Sequence, residues 1–343
     1  MESVYMHRAL ELAALGSGHV SPNPMVGCVI VHKGEIIGEG WHKVYGGPHA
    51  EVNAINSVLD KTVLKESDVF VTLEPCAHYG NTPPCADLLV QHQVRSVIIG
   101  AVDTNPLVGG KGVDRLKKAG INVKTGVLEA ESRQLNRRFF TFMEKQRPYI
   151  MLKWAETADG FIARGNFDSK WISSTYSRRL VHKWRAEEAA ILVGTNTAHY
   201  DNPMLTVRDW SGRNPVRIVI DRHLRLNASL HLFDRSVPTL CYNLVREEHE
   251  ENLELIKLEE EGFVLQLLDD LYKRKISSVM IEGGTSVLNL FIQQGLWDEA
   301  RVFRTAGTFG KGIESPLMKA TLVHQEQLPG SDILSIYEPL SVV

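Results

Sequence analysis

Four cysteines in 343 residues are too few for a disulfide scaffold. Cys28, Cys76, Cys85 and Cys241 are therefore each a question about metal, catalysis or packing. No apolar run approaches the roughly 20 residues that cross a bilayer. The start, Met1-Glu2-Ser3-Val4-Tyr5-Met6-His7-Arg8, lacks the basic stretch and apolar core of a signal peptide. A reducing cytoplasm is the expected setting, with no membrane partner. Neither sign of charge dominates, since 38 Lys and Arg face 41 Asp and Glu for a net charge of −3. No global basic footprint draws in nucleic acid by counterion release. Gly-x-Gly-x-x-Gly after a strand and Gly-x4-Gly-Lys-[Ser/Thr] are both missing, which leaves a Rossmann domain and a P-loop unsupported. Low-complexity segments are missing too. With 43% hydrophobic and 23% charged residues, a disordered tail, a collagen-like chain and a coiled-coil fibre are all excluded. The length leaves about two domains or one large barrel.

What is present is an alternation of apolar runs and helical spacings. Met6, Leu10, Ala13 and Ala14 predict a helix over 2–15, ended by Gly16-Ser17-Gly18. Met25 to His32 and Glu35 to Trp41, joined by Lys33-Gly34, predict a hairpin. A helix over 49–59, a strand at 69–73, a helix after Pro83-Pro84, a strand at 94–102, a helix around 113–119 and a strand at 121–125 follow. A single long helix is expected over 129–145. After Gln146-Arg147-Pro148 a new strand restarts at 149–154, so the boundary falls at 146–148: domains 1–146 and 147–343. The second half repeats the pattern, with strands expected near 189–194, 215–220, 237–242, 262–267 and 278–282. It carries no copy of the first half's His and Cys spacing and is not a duplication. The expected class is α/β with crossover connections.

His49-Ala50-Glu51 stands at a helix start, Pro75-Cys76 just past a strand, and Cys85 after Pro83-Pro84. One imidazole and two thiolates suit a tetrahedral zinc with its fourth position open, whereas closed structural sites have four protein ligands. Helix starts also favour thiolate over thiol. Zinc lowers the pKa of its water toward about 7, and Glu51 is placed to shuttle the proton. His-x-Glu followed by Pro-Cys and a second Cys is the zinc-deaminase signature, although eight residues separate Cys76 from Cys85 where two are usual. Taken singly, His-Ala-Glu or Pro-Cys carries little information. In order, and at strand-to-helix junctions, they point to catalytic zinc. Cys28 and Cys241, inside apolar strands, read as small core residues.

The loop Pro75-Cys76-Ala77-His78-Tyr79-Gly80-Asn81-Thr82-Pro83-Pro84-Cys85 is informative beyond its ligands. With Ser21-Pro22-Asn23-Pro24-Met25-Val26-Gly27, Gly40-Trp41-His42 and Asp103-Thr104-Asn105-Pro106, it closely resembles the bifunctional riboflavin-biosynthesis deaminase/reductase family. The resemblance covers nearly the whole chain. It implies an N-terminal cytidine-deaminase-like α/β/α domain and a C-terminal dihydrofolate-reductase-like α/β domain. It implies Zn2+ on His49, Cys76 and Cys85, Glu51 as proton shuttle, and Asn23, His42 and His78 around the substrate. Asn23, between two prolines, also reads as a plain turn residue. Where the family has a basic residue on this loop, this chain has Asn81; Lys111 or a nearby arginine is the alternative partner for the substrate phosphate.

In the second half, Ile281-Glu282-Gly283-Gly284-Thr285-Ser286 allows close backbone approach and opens a helix that can receive phosphate. Alone it also reads as turn chemistry. Lys153-Trp154-Ala155, Ser169-Lys170-Trp171, His182-Lys183-Trp184-Arg185, Val193 to Thr197 and Asp201 to Arg208 fit the reductase half of the same family. The resemblance implies NADPH near Ala155, Trp171, Thr197, Asp201, Gly283 and Gly284. It implies substrate near Lys153, Ser169, Arg185, Leu205, Arg208 and Glu282. Arginine forks suit a phosphate, while carboxylates suit ribose hydroxyls or a protonated imine. Singly, Arg185 and Arg208 also read as solvated charges. Arg301 to Gly312 is more polar than the strand and loop expected there.

The expectation is a two-step enzyme of riboflavin biosynthesis that takes a small phosphoribosylated pyrimidine, works without nucleic acid and forms a homo-oligomer. A nucleic-acid base deaminase with an accessory domain is the first rival, disfavoured by the insertion between the cysteines and the acidic balance. A non-catalytic zinc-binding nucleotide sensor is the second, disfavoured by Glu51 beside an open zinc position.

Overall fold

The computed structural model describes residues 2–79, 83–105, 109–169 and 172–340. The chain divides into two compact units, Met1–Gln146 and Arg147–Val343. No helix among the described residues is long and apolar enough to cross a membrane.

The first unit runs α1 (Glu2–Ala14), β1 (Gly27–His32), β2 (Glu35–Trp41), α2 (Ala50–Ser57), β3 (Asp68–Leu73), α3 (Cys85–Gln91), β4 (Ser96–Ala101), α4 (Lys111–Lys118) and β5 (Asn122–Lys124), then α5 (Glu129–Leu135) and α6 (Arg137–Lys145). The sheet order is β2-β1-β3-β4-β5, antiparallel through the hairpin and parallel from β3 to β5. Alternation along the strands sorts the core into layers. Cys28, Ile30, Val69, Val71, Val97 and Ile99 meet α2, α3 and α4 on one face. Val29, Val31, Phe70 and Ile98 meet Met6, Ala9 and Leu12 of α1 on the other.

Two glycines set how closely the helices sit. A Cβ on Gly27 would lie 1.9 Å from the Ala9 carbonyl of α1, and one on Gly40 2.3 Å from the Ala54 nitrogen of α2. Only a residue without a side chain lets backbone lie against backbone there.

The expected long helix over 129–145 is broken at Asn136, the residue between α5 and α6. Its side chain is engaged elsewhere: Oδ1 accepts from the Met25 N–H at 2.8 Å and Nδ2 donates to the Met25 carbonyl at 2.8 Å. A short polar side chain that bonds distant backbone competes with helix continuation.

The second unit contains β6 (Tyr149–Glu156), β7 (Phe161–Ala163), α7 (Thr175–Glu187), β8 (Ala190–Gly194), α8 (Thr195–Asp201), β9 (Val216–Ile220), β10 (Thr239–Asn243), β11 (Glu248–Glu250), β12 (Leu253–Lys257), α9 (Phe263–Lys273), β13 (Ser278–Glu282), α10 (Thr285–Gln293), β14 (Glu299–Arg304), β15 (Ile313–Glu314), β16 (Ala320–Gln327) and β17 (Ile333–Pro339). Its 10-stranded sheet has the order β11-β12-β10-β9-β8-β13-β6-β14-β17-β16. Every neighbouring pair from β12 to β14 is parallel. Ile150, Leu152, Leu192, Ile218, Leu240 and Ile281 face α9 and α10, while Met151, Ile191, Val193, Val219, Cys241 and Met280 face α7. Both Cys28 and Cys241 are buried in these cores, as expected.

The strand expected at 262–267 is instead the start of α9. Phe263, Val264, Leu267, Leu268 and Leu271 recur at the 3.6-residue period, and Gly262 at φ +67 starts the helix. The strand lies at Leu253–Lys257, whose alternating charges hid it. At the head of the unit, Arg147 makes a two-armed pair with Asp298 at 2.6 and 2.8 Å, and Asp298 also accepts from the Ile150 N–H.

Asn136→Ala removes two hydrogen bonds and leaves the Met25 backbone groups unmatched. Urea unfolding should show the first unit destabilised by about 1–3 kcal/mol, and an unchanged midpoint would dismiss the clasp.

Candidate active sites

In the first unit, three donors converge from three elements. His49 occupies the position just ahead of α2, Cys76 follows the end of β3, and Cys85 opens α3. His49 Nδ1 lies 3.6 Å from Cys76 Sγ and 3.4 Å from Cys85 Sγ. All three donor atoms fall within 4.8 Å of one another. Zinc bonds of about 2.0–2.1 Å to nitrogen and about 2.3 Å to sulfur, at tetrahedral angles, put N–S edges near 3.5–3.6 Å. The donor set and its spacing therefore fit zinc, and three protein ligands leave one position open. Cys76 Sγ also accepts from the Cys85 backbone N–H at 3.3 Å. Hydrogen bonding from Cys85 and the neighbouring His49 hold the Cys76 thiol well below its ordinary value, whereas that same bond and burial push Cys85 up.

Glu51, on the first turn of α2, is buried. Burial pushes its carboxyl up to about 7, and the charge on Cys76 pushes the same way. Asn23 and His42 meet: Asn23 Nδ2 is 3.2 Å from His42 Nε2, and His42 Nδ1 is 3.1 Å from the Pro48 carbonyl. A carbonyl only accepts, so Nδ1 carries the proton and Nε2 accepts from Asn23. His78 is exposed, with a favourable charge interaction to Asp103, whose carboxyl burial raises to about 6. Asn81 lies outside the described residues. Lys111 is the first residue of α4.

One residue of this unit escaped notice in the sequence. Glu74, buried directly before Pro75-Cys76, accepts backbone N–H groups from Asp103, Gly110, Gly112 and Val113 at 2.8–3.2 Å. It ties the segment that carries Cys76 to the start of α4. A carboxylate immediately before a ligand-bearing turn was the available signal.

In the second unit, the carboxyl ends of β6, β8, β9 and β13 open on a cavity of about 700 Å³. Ligands of parallel sheets bind at this edge, and the volume suits a bound organic molecule. Glu282 ends β13 opposite Lys153 of β6. Arg185 holds the Glu282 carboxylate with both arms at 2.8 and 2.9 Å and donates to the Thr206 carbonyl at 3.2 Å. Lys153 Nζ stands 3.7 Å from Glu282. Burial pushes Glu282 up, but Arg185 and Lys153 more than offset it and hold the carboxyl at about 2. Burial draws Lys153 down, opposed by Glu282.

Ser169 donates to Asp201 at 3.0 Å, and the Gly284 N–H donates to Thr197 Oγ1 at 3.0 Å. Arg208 joins Thr206 Oγ1 through its side chain and His182 Nδ1 through its backbone N–H. Ala155, Gly283 and these residues, apart from Thr206, line the same cavity. Leu205 does not: it is buried in the core facing α7, with φ +52. Trp171 lies outside the described residues. Phe167 and Tyr200, stacked with ring centres 4.3 Å apart, also line the cavity, as do Arg222, His223 and Arg225. All five were missed. Thr285 and Ser286 open the nine-residue α10 at the cavity, and first-turn N–H groups of a helix favour phosphate. Cavity, position and donors together fit a dinucleotide.

The polar 301–312 segment is accommodated. Arg301 pairs with Glu299 at 2.6 Å and lies 4.4 Å over Trp184, so a charge sits within the buried β14. The Phe309 and Gly310 N–H groups donate to Asp159, and Arg164 covers the Phe309 ring.

Residues 148–330 match the model of the RibD C-terminal domain, and residues 1–101 that of the cytidine and deoxycytidylate deaminase zinc-binding region. The chain is 41% identical over 315 residues to the riboflavin biosynthesis protein RibD of Aquifex aeolicus, covering 90% of this chain and 88% of that one. It is 38% identical to the Escherichia coli K12 RibD, covering 91% and 90%. A solved structure of a Thermotoga maritima diaminohydroxyphosphoribosylaminopyrimidine deaminase/5-amino-6-(5-phosphoribosylamino)uracil reductase superposes with a TM-score of 0.91 at 39% identity, covering 98% of each chain. Acinetobacter baumannii RibD superposes at 0.90 with 34% identity over 98% of each.

Elemental analysis after dialysis should find one zinc per chain in the intact protein and a small fraction of that in Cys85→Ala. Full retention by the variant would remove Cys85 from the ligand set.

Proposed function

This chain belongs to the RibD family of riboflavin-biosynthesis proteins, deaminases and reductases at once, and from that premise we propose how its residues divide the work. Residues 1–146 hydrolytically deaminate 2,5-diamino-6-(5-phosphoribosylamino)pyrimidin-4(3H)-one, and residues 147–343 reduce the ribosyl side chain of the product to ribityl at the expense of NADPH. The observation that carries the reading is the His49, Cys76 and Cys85 donor set with buried Glu51 two residues along from His49.

His49, Cys76 and Cys85 hold Zn2+, which when bound supplies the Lewis acidity that makes water nucleophilic near neutral pH. Glu51 takes the proton from the attacking water and passes it to the departing amino group, so that ring C–NH2 and water become ring C=O and ammonia. A carboxyl pushed up to about 7 is suited to both accepting and releasing that proton. Asn23, with its Nδ2 engaged on His42, presents its carbonyl oxygen to ring N–H groups of the substrate.

In the second unit NADPH, when bound, supplies the hydride. Ala155, Thr197, Asp201 and the Gly283-Gly284 turn receive the cofactor, with Trp171 assigned by resemblance. Arg185, Arg208 and Ser169 orient the phosphoribosyl group, while Leu205 packs in the core beneath them. Lys153 holds a proton at Nζ beside the reacting end of that group. Glu282, kept ionised, faces its hydroxyls or a positive charge developing on it. The same reading sets the chain in a reducing cytoplasm, where thiol ligands such as Cys76 and Cys85 stay reduced. It also includes self-association, supported by Leu317, Leu322 and Val323 exposed on or just before the edge strand β16.

Zinc-loaded protein is incubated with the substrate and NADPH, following ammonia and NADPH separately. Both should change, ammonia first. Glu51→Gln should cut ammonia release by roughly 10²–10⁴-fold, keep one zinc per chain, and still reduce the deaminated product. Retained deamination, or lost zinc, would defeat the role given to Glu51; ammonia without NADPH oxidation would leave only the first unit's assignment.

A further inference from the structure

The proposed reduction leaves one buried, titratable side chain of the cavity without a task. His182 sits on α7, lines the cavity and is withdrawn from solvent. Arg185 follows three residues later, so the two side chains leave neighbouring positions on one face of the helix. Both reach the segment 202–208, which belongs to neither helix nor strand. Leu205 and Thr206 of that segment are buried, whereas Arg208 stands exposed at its end.

With no ladder of its own, the segment is held by separate clasps. Arg185 Nη1 donates to the Thr206 carbonyl at 3.2 Å, and the Val207 N–H donates to Asn214 Oδ1 at 2.8 Å. The Arg208 N–H donates to His182 Nδ1 at 3.2 Å. A backbone N–H only donates, so Nδ1 accepts and the ring proton stands on Nε2, which lies 3.6 Å from Asp209. Burial and the charges of Arg185 and Arg208 draw the imidazole below its ordinary range against Asp209 and Glu282, which keeps the Nδ1 lone pair available. The two arginines differ in what they have left to offer. Arg185 has bonds from all three guanidinium nitrogens, two to Glu282 and one to Thr206. Arg208 donates to a neutral partner, the Thr206 hydroxyl at 3.3 Å, and among the described residues forms no ion pair with a carboxylate.

A guanidinium on irregular backbone serves a phosphate well only if that backbone is already fixed, because ordering it on binding costs affinity. We propose that His182 is a positioning residue of the reduction: by accepting from the Arg208 backbone, it sets the Arg208 guanidinium where the phosphate of the phosphoribosyl substrate arrives. Helix α7 then clamps the segment at two points, Arg185 on Thr206 and His182 on Arg208. The inference rests on the second unit acting as the reductase and adds a residue that works through Arg208, not on the reacting atoms. The phosphate is bound alike before and during hydride transfer, so His182 governs KM for the phosphorylated substrate and leaves kcat nearly unchanged.

Steady-state reduction by the full-length protein tests it, using the deaminated product at saturating NADPH and the same compound stripped of its phosphate. His182→Ala should raise KM for the phosphorylated compound about 3–10-fold and keep kcat within about twofold. KM for the dephosphorylated compound and for NADPH should stay as they are, which shows the cavity intact. His182→Leu, which fills the space without an acceptor, should behave like the alanine variant. His182→Asn, whose Oδ1 stands as many bonds from the backbone as Nδ1, should recover most of the lost affinity. In an Arg208→Ala background, His182→Ala should add less than about twofold. An unchanged KM, an equal loss for both compounds, no rescue by asparagine, or a full further loss beside Arg208→Ala overturns the positioning role and leaves the reductase reading in place. No NADPH oxidation by the unaltered protein overturns both.

Discussion

A carboxylate taken out of water needs opposite charge and hydrogen bonds around it, and Glu282 gathers both from separate elements. It ends β13, faces Lys153 across the parallel pair with β6, and is gripped by both arms of Arg185 from α7. Arg185 in turn holds the Thr206 carbonyl, and Arg208 leans on the Thr206 hydroxyl. The cations that would otherwise repel one another are thereby placed on one wall of one cavity. Lys153, Arg185 and Arg208 outnumber the single carboxylate, so this wall keeps a net positive charge toward whatever enters the cavity.

Three glutamates largely withdrawn from solvent show how surroundings divide labour. Glu282 has two cations and stays ionised. Glu74 has four backbone N–H groups and serves as a tie between β3, the Asp103 segment and α4. For Glu51 burial outweighs the hydrogen bonds it accepts, and its carboxyl is pushed to about 7, where a proton can come and go. The residue type is constant; the partners decide whether it binds, braces or transfers.

The His49, Cys76 and Cys85 convergence was legible because metal ligation restricts residue type and order, and its donors sit at junctions that turn residues announce. Most strands were legible because β-branched apolar runs between turn signals have few other uses. The 262–267 segment was misread because a short apolar run satisfies strand and helix alike until Leu268 and Leu271 extend the period. The break at Asn136 was invisible because its cause lies 111 residues away, in the backbone of Met25. Glu74 and Arg222 escaped for a related reason: what each does depends on which chain ends the sheet brings beside it. Lys153, Glu282 and Arg185 were named from resemblance, but their mutual contact belongs to the folded sheet alone.

Gly40 is a packing residue on β2 that touches no ligand, yet α2 lies against it, with the Ala50 carbonyl only 2.6 Å from where a Cβ would stand. His49 is the next residue back along the chain. The imidazole thus reaches the two thiols only because a helix rests directly on a sheet with no methyl group between them. Metal content becomes a ruler for helix-to-sheet separation in this unit, sensitive to a displacement far smaller than one that would unfold it. A protein that has lost its zinc need not have lost a ligand.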